Sequence, residues 1–212
     1  MHTNIYILGD SVAFGEGMSQ GGWPQLLNSF LIERYAGGGA KEFRVYNLSV
    51  GSERTREVLA RMDAELLARG AAGHENVIVF AVGLNDSAFV HSANTNWIDF
   101  AEFTENVKKL IDSAKKYSDK VIFIGLTPAD YAIVDPMPWD TDKSYREADV
   151  KRYDAALKEV SGDCGAGYIP VYNEFVAAGS RNLLLDGAHP NSAGHKLIFE
   201  IVRDYLIGNK IF

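Results

Sequence analysis

Cysteine is almost missing from this chain: Cys164 is the only one in 212 residues. No internal disulfide can staple the fold, so stability has to come from a packed core, and a reducing, cytoplasmic location is the expectation. Long apolar runs are missing too. The N-terminal run 5–8 is too short for a signal-peptide core or a membrane span, and no basic segment precedes it. Positive charge is scarce: 21 Lys and Arg face 28 Asp and Glu, a formal net charge of −7. Lys108, Lys109, Lys115 and Lys116 form the densest basic group, which fits one solvated helix face, so a nucleic-acid partner is not expected. The histidines His2, His74, His91, His189 and His195 show no H-E-x-x-H or Cys–His spacing, and no metal site is expected. Neither G-x-G-x-x-G nor G-x-x-x-x-G-K-[ST] occurs, so no nucleotide cofactor is expected either.

What is present is ordinary globular composition, 47% hydrophobic and 23% charged, at a length that suits one α/β domain over 1–212 better than two. Runs rich in Val, Ile and Phe at 4–8, 43–48, 76–82, 120–126 and 167–171 read as strands buried on both faces. Between and after them, 23–35, 53–69, 98–117, 145–160 and 192–207 carry apolar residues at helical spacing, and Pro190-Asn191 marks a helix start. Alternation of this kind predicts three α/β/α layers around a five-stranded parallel sheet, with the flavodoxin-like order 2-1-3-4-5. Gly37-Gly38-Gly39 reads as a connector. Two connections, 85–97 and 127–143, are long for such a fold. Both leave the carboxyl edge of the sheet, where open α/β sheets bind ligands, so their Trp97, Tyr131 and Trp139 are candidate substrate contacts.

Four short blocks fall at that same edge. Gly9-Asp10-Ser11 follows the first strand, Asn47-Leu48-Ser49-Val50-Gly51 the second, and Gly83-Leu84-Asn85-Asp86 the third; Asp186-Gly187-Ala188-His189-Pro190 precedes the last helix. A serine hydroxyl needs a base within hydrogen-bond reach to act as a nucleophile. Histidine is the usual base for that task, which His189 can fill, and Asp186, three residues earlier, is close enough to orient it. The G-x-S-x-G elbow of the α/β-hydrolases is absent around Ser11.

These blocks resemble the SGNH (GDSL-type) hydrolases, and the resemblance runs from Asp10 almost to the C-terminus. Ser49 departs from the family, which often has glycine there. The resemblance implies a serine esterase with Ser11, Asp186 and His189 as catalytic triad. It also implies an oxyanion hole from the backbone N–H groups of Ser11 and Gly51 and the side-chain amide of Asn85, with no cofactor or metal. It implies a small-molecule ester as partner, with short-chain or acetyl esters expected first, carbohydrate O-acetyl groups among them. Lysophospholipase or thioesterase action on longer chains, or a catalytically silent binding domain on the same fold, are the alternatives. Asp10 is expected to have a local structural role at the strand end. Asp86 could imitate the phosphoacceptor of a receiver domain, a reading that leaves Asp186 and His189 unexplained. His195 is expected to be an ordinary helix residue, and His74 and His91 loop residues.

Overall fold

The computed structural model describes residues 2–70 and 73–212. In chain order the elements are β1 (His2–Gly9), α1 (Ser11–Phe14), α2 (Trp23–Ala36), β2 (Glu42–Asn47), α3 (Thr55–Arg69) and β3 (Glu75–Ala81). There follow β4 (Phe89–Val90), β5 (Thr95–Asn96), α4 (Phe100–Ala114), β6 (Val121–Ile124), α5 (Tyr131–Val134) and β7 (Lys143–Ser144). The chain continues with α6 (Glu147–Asp163), β8 (Gly167–Ile169), α7 (Tyr172–Ala177), a 3-10 turn (Ser180–Leu183) and α8 (Ser192–Gly208).

The five long-range strands form one parallel sheet in the order β2-β1-β3-β6-β8. This is the order expected from the sequence. Successive side chains of a strand point to opposite faces, and here both faces are covered. Tyr6, Leu8, Ile78, Phe80, Val121 and Phe123 meet α3, α4 and α6 on one side. The intervening Ile5, Ile7, Val77, Val79, Ile122 and Ile124 meet α2 and α8 on the other. A strand apolar at every position is thus apolar for two cores at once, which is why these runs show no alternation. Among the described residues no helix is long and apolar enough to cross a membrane.

Some elements extend past the apolar runs, as β1 does over His2–Gly9, and others stop inside them. The run 167–171 pairs only as Gly167–Ile169, because Pro170 has no N–H to give to a ladder. The helical run 145–160 begins at Glu147, and Tyr145 stays outside it. The long connections are not free loops. β4 pairs with both β5 and β7 in a small antiparallel sheet, tying the connection after β3 to the one after β6. Strands of two residues carry no readable pattern, and the sequence alone does not announce them.

Candidate active site

Ser11 is the first residue of α1, directly past the end of β1. Asp10 caps that helix, its Oδ1 accepting from the Val12 N–H at 3.0 Å, which is the local structural role expected of it. The helix stops after four residues at Gly15, which has φ +89° and packs its Cα against Gly22 backbone where a Cβ has no room. The Val50 N–H donates to the Gly9 carbonyl at 3.0 Å. That bond holds Gly51 beside the strand end from which Ser11 springs.

His189 reaches this point from the far end of the chain. Its loop is braced by a Leu185 N–H donating to the His189 carbonyl at 2.7 Å and by an Asp130 N–H donating to the Gly187 carbonyl at 2.7 Å. Gly187, at φ +96° and against Ile133, allows the turn that a side chain there would strain. Asp186 consequently curls over its own loop, and its Oδ1 accepts from the N–H groups of Ala188 at 3.0 Å and His189 at 2.9 Å. Its Oδ2 lies 2.7 Å from His189 Nδ1, and His189 Nε2 lies 2.9 Å from Ser11 Oγ. Burial pushes the Asp186 carboxyl up, but the backbone and imidazole hydrogen bonds outweigh it and hold the group below its usual range. The carboxylate therefore stays ionised and fixes the imidazole with Nδ1 protonated, leaving the Nε2 lone pair for the serine proton.

Asn85 sits in the turn after β3 and is buried. Its Nδ2 donates to the Glu53 carbonyl at 3.0 Å, and its Oδ1 accepts from the Tyr145 hydroxyl at 2.7 Å. Sequence reasoning missed Tyr145. Its neighbour Asp86 is fully buried and committed elsewhere. Both its oxygens lie 3.1 Å from the Thr55 N–H, and Oδ1 lies 2.5 Å from Thr55 Oγ1. It anchors the first turn of α3 and is no exposed phosphoacceptor. Burial raises its carboxyl to about 6 and that of Asp10 to about 7.

The three candidate aromatic contacts have different surroundings. Trp139 is half exposed, with its ring centroid 5.8 Å from that of His189. Trp97 has two cations at its ring, Arg54 at 4.4 Å and Lys143 at 3.9 Å from the centroid. The Tyr131 hydroxyl is 3.0 Å from that of Tyr172. His195 is a buried residue of α8 whose Nδ1 accepts from the Trp23 N–H at 3.3 Å. Burial depresses its pKa to about 4, so it pins the start of α2 as a neutral ring. His74 and His91 lie in connections, His91 Nε2 at 2.8 Å from Ser144 Oγ.

The family model of the GDSL-like lipase/acylhydrolase family matches residues 7–197. No curated protein sequence matches the chain. Solved structures share the fold. A lipase/acylhydrolase from Enterococcus faecalis superposes with TM-score 0.74 at 24% identity, covering 97% of this chain and 96% of its own. TesA gives 0.72 at 21% identity, with 96% and 97% covered. A catalytic mutant of Axe2, an acetylxylan esterase from Geobacillus stearothermophilus, gives 0.71 at 14% identity, with 95% and 92% covered. Catalytic mutants of that esterase replace a serine, an aspartate and a histidine by alanine, the histidine three positions after the aspartate.

Proposed function

Because the chain belongs to the GDSL-like lipase/acylhydrolase family and is an ester hydrolase, we propose that it cleaves carboxylic esters by acyl transfer through Ser11. His189 takes the proton from Oγ as the hydroxyl attacks the ester carbonyl, and returns it to the departing alkoxide. Asp186 stabilises the imidazolium formed between these two events. The backbone N–H groups of Ser11 and Gly51 and the free amide hydrogen of Asn85 receive the oxyanion. Water then repeats the sequence on the acyl-enzyme, with His189 as base again, and releases the acid. The observation that carries this reading is the continuous relay Ser11 Oγ, His189 Nε2, His189 Nδ1, Asp186 Oδ2, with steps of 2.9 and 2.7 Å. The acid and base of the acetylxylan esterase's catalytic mutants have the same spacing as Asp186 and His189, which supports it. No step asks for a cofactor or a metal, and the lone Cys164 is in keeping with a reducing, cytoplasmic setting.

For substrate we propose short acyl groups, acetyl first, with a carbohydrate hydroxyl as one leaving group. The exposed face of Trp139 beside His189 offers a flat apolar platform for a sugar ring. Trp97 and Tyr131 pack against the core cluster on one face of the sheet. A second reading, hydrolysis of longer acyl esters or thioesters, draws on Phe14, Val50 and Leu185. These exposed apolar side chains stand within three residues of Ser11, Gly51 and Asp186 respectively. Fluorophosphonate labelling tests the chemistry: Ser11 takes the label, and Ser11→Ala neither takes it nor turns over an activated ester. A folded wild-type protein that takes no label removes Ser11 as nucleophile. A p-nitrophenyl ester series tests the substrate, with kcat/KM falling steeply beyond butyrate if acyl groups are short.

A further inference from the structure

An oxyanion donor is useful only if it points at the developing charge before the reaction begins, because a donor that must first reorient pays that reorganisation in the barrier. Backbone donors such as the N–H groups of Ser11 and Gly51 are oriented by the chain itself. A side-chain amide is different. Its carbonyl and amino ends are nearly the same shape, so it can turn end for end, and the wrong end would place an acceptor where the oxyanion forms. Something outside Asn85 has to settle which end is which.

Two partners do so here. The Glu53 carbonyl can only accept, and it takes one Nδ2 hydrogen at 3.0 Å. The Tyr145 hydroxyl donates to Oδ1 at 2.7 Å in a fully buried pair. Turned over, the amide would face two oxygens against each other at Glu53. With both bonds made, one Nδ2 hydrogen is left without a protein partner among the described residues. Glu53 is itself held: its carboxylate receives the Arg61 guanidinium at 2.8 and 2.6 Å, across to α3. Tyr145 is held as well, since its backbone N–H donates to the Val134 carbonyl at 3.0 Å and its ring is buried in the core. Burial, with the carboxylates of Asp10, Asp186 and Asp86 nearby, keeps the phenol protonated and therefore a donor.

We infer that Tyr145 is a positioning residue for the acyl-transfer step, its hydroxyl locking the Asn85 amide so that the free N–H faces the reacting carbonyl. The inference rests on the reading of Asn85 as an oxyanion donor. Tyr145 touches neither substrate nor Ser11 in this role; it acts through Asn85 alone. Its place just after β7, a strand of the small sheet that bridges the two long connections, gives those connections a purpose beyond walling the site.

A double-mutant cycle tests this. Tyr145→Phe keeps the ring and removes the one hydroxyl, and we expect kcat on p-nitrophenyl acetate to fall about tenfold with KM unchanged. In an Asn85→Ala background the same substitution should change kcat less than twofold, because the group it orients is gone. Equal losses in both backgrounds overturn the inference, as does a folded Tyr145→Phe enzyme with wild-type kcat. Wild-type turnover by Asn85→Ala is a different failure, that of the oxyanion reading itself. If Tyr145→Phe does not fold, the wild type carries the test through 13Cζ-labelled tyrosine and 15N side-chain amides. Phosphonylation of Ser11 should move the Asn85 and Tyr145 signals together, and a Tyr145 signal that stays fixed while that of Asn85 moves overturns the inference.

Discussion

Asn85 gives its two amide ends to Tyr145 and Glu53 and keeps one hydrogen back. Asn85→Ala therefore removes the proposed oxyanion donor, and kcat should fall about 10²–10³-fold while KM changes little. Steady-state kinetics on p-nitrophenyl acetate check this. A melting curve alongside should show a folded protein with a lowered midpoint, since the Tyr145 hydroxyl and the Glu53 carbonyl lose their partner. Wild-type turnover in that folded protein would remove Asn85 from the mechanism. The meeting of Ser11, His189 and Asp186 was legible in the sequence because each stands in a short block placed at the end of a strand or the start of a helix, and Gly51 and Asn85 stand in blocks of the same kind. Tyr145 was not legible. It lies 60 residues from Asn85 in the chain, at the very start of the helical run 145–160, and a single hydroxyl leaves no pattern to read. Asp86 was legible only as a carboxyl at the right edge. That it binds Thr55 and not a phosphate follows from burial, which composition does not reveal.

The five strands of the parallel sheet were readable at the scale of elements because double-sided burial leaves unbroken runs of Val, Ile and Phe. Their ends were not, since the partner strand, and in β8 a proline, decides where pairing stops. The two-residue strands β4, β5 and β7 and the four-residue helix α1 are too short to carry a period. Loop aromatics are the hardest case, because a tryptophan in a connection reads alike whether it meets substrate or its own neighbours. The structure separates two of them. Trp139→Ala should raise KM several-fold on aryl or sugar esters and leave the unfolding midpoint nearly unchanged, because its ring is half exposed beside His189. Trp97→Ala should instead cost about 1–2 kcal/mol of stability by releasing Arg54 and Lys143 from its two contacts. Urea unfolding and Michaelis kinetics on both variants would distinguish them, and the reverse assignment of effects would refute this division of roles.

Two buried carboxyls at the sheet edge shape the pH response of the whole molecule. Asp10 and Asp86 bind a proton more tightly folded, at about 7 and about 6, than unfolded, near the ordinary aspartate value of 3.8. Their protonated forms favour the native state, so this contribution is complete below about pH 4 and is lost as pH rises through 6 and 7. Asp186 has the opposite sign: held below its usual range, it favours the native state at neutral pH and loses that effect only in stronger acid. Between pH 5 and 8 the unfolding free energy should therefore fall, by on the order of 2 kcal/mol for Asp10 alone. Asp10→Asn keeps an oxygen to cap α1 and should remove that part of the slope. Urea titrations at pH 5, 6.5 and 8 measure it, and an unchanged slope in Asp10→Asn would show that another group is responsible.

Trp139 and His189 place an indole next to the proposed base. A charged imidazole accepts an electron from excited indole and darkens it, whereas a neutral one does so far less. In the proposed mechanism His189 is charged only in the short-lived tetrahedral states, so a stable tetrahedral adduct on Ser11, such as a phosphonate, should dim Trp139 relative to the free protein. The enzyme would thus carry its own optical reporter of the tetrahedral state, readable with colourless inhibitors.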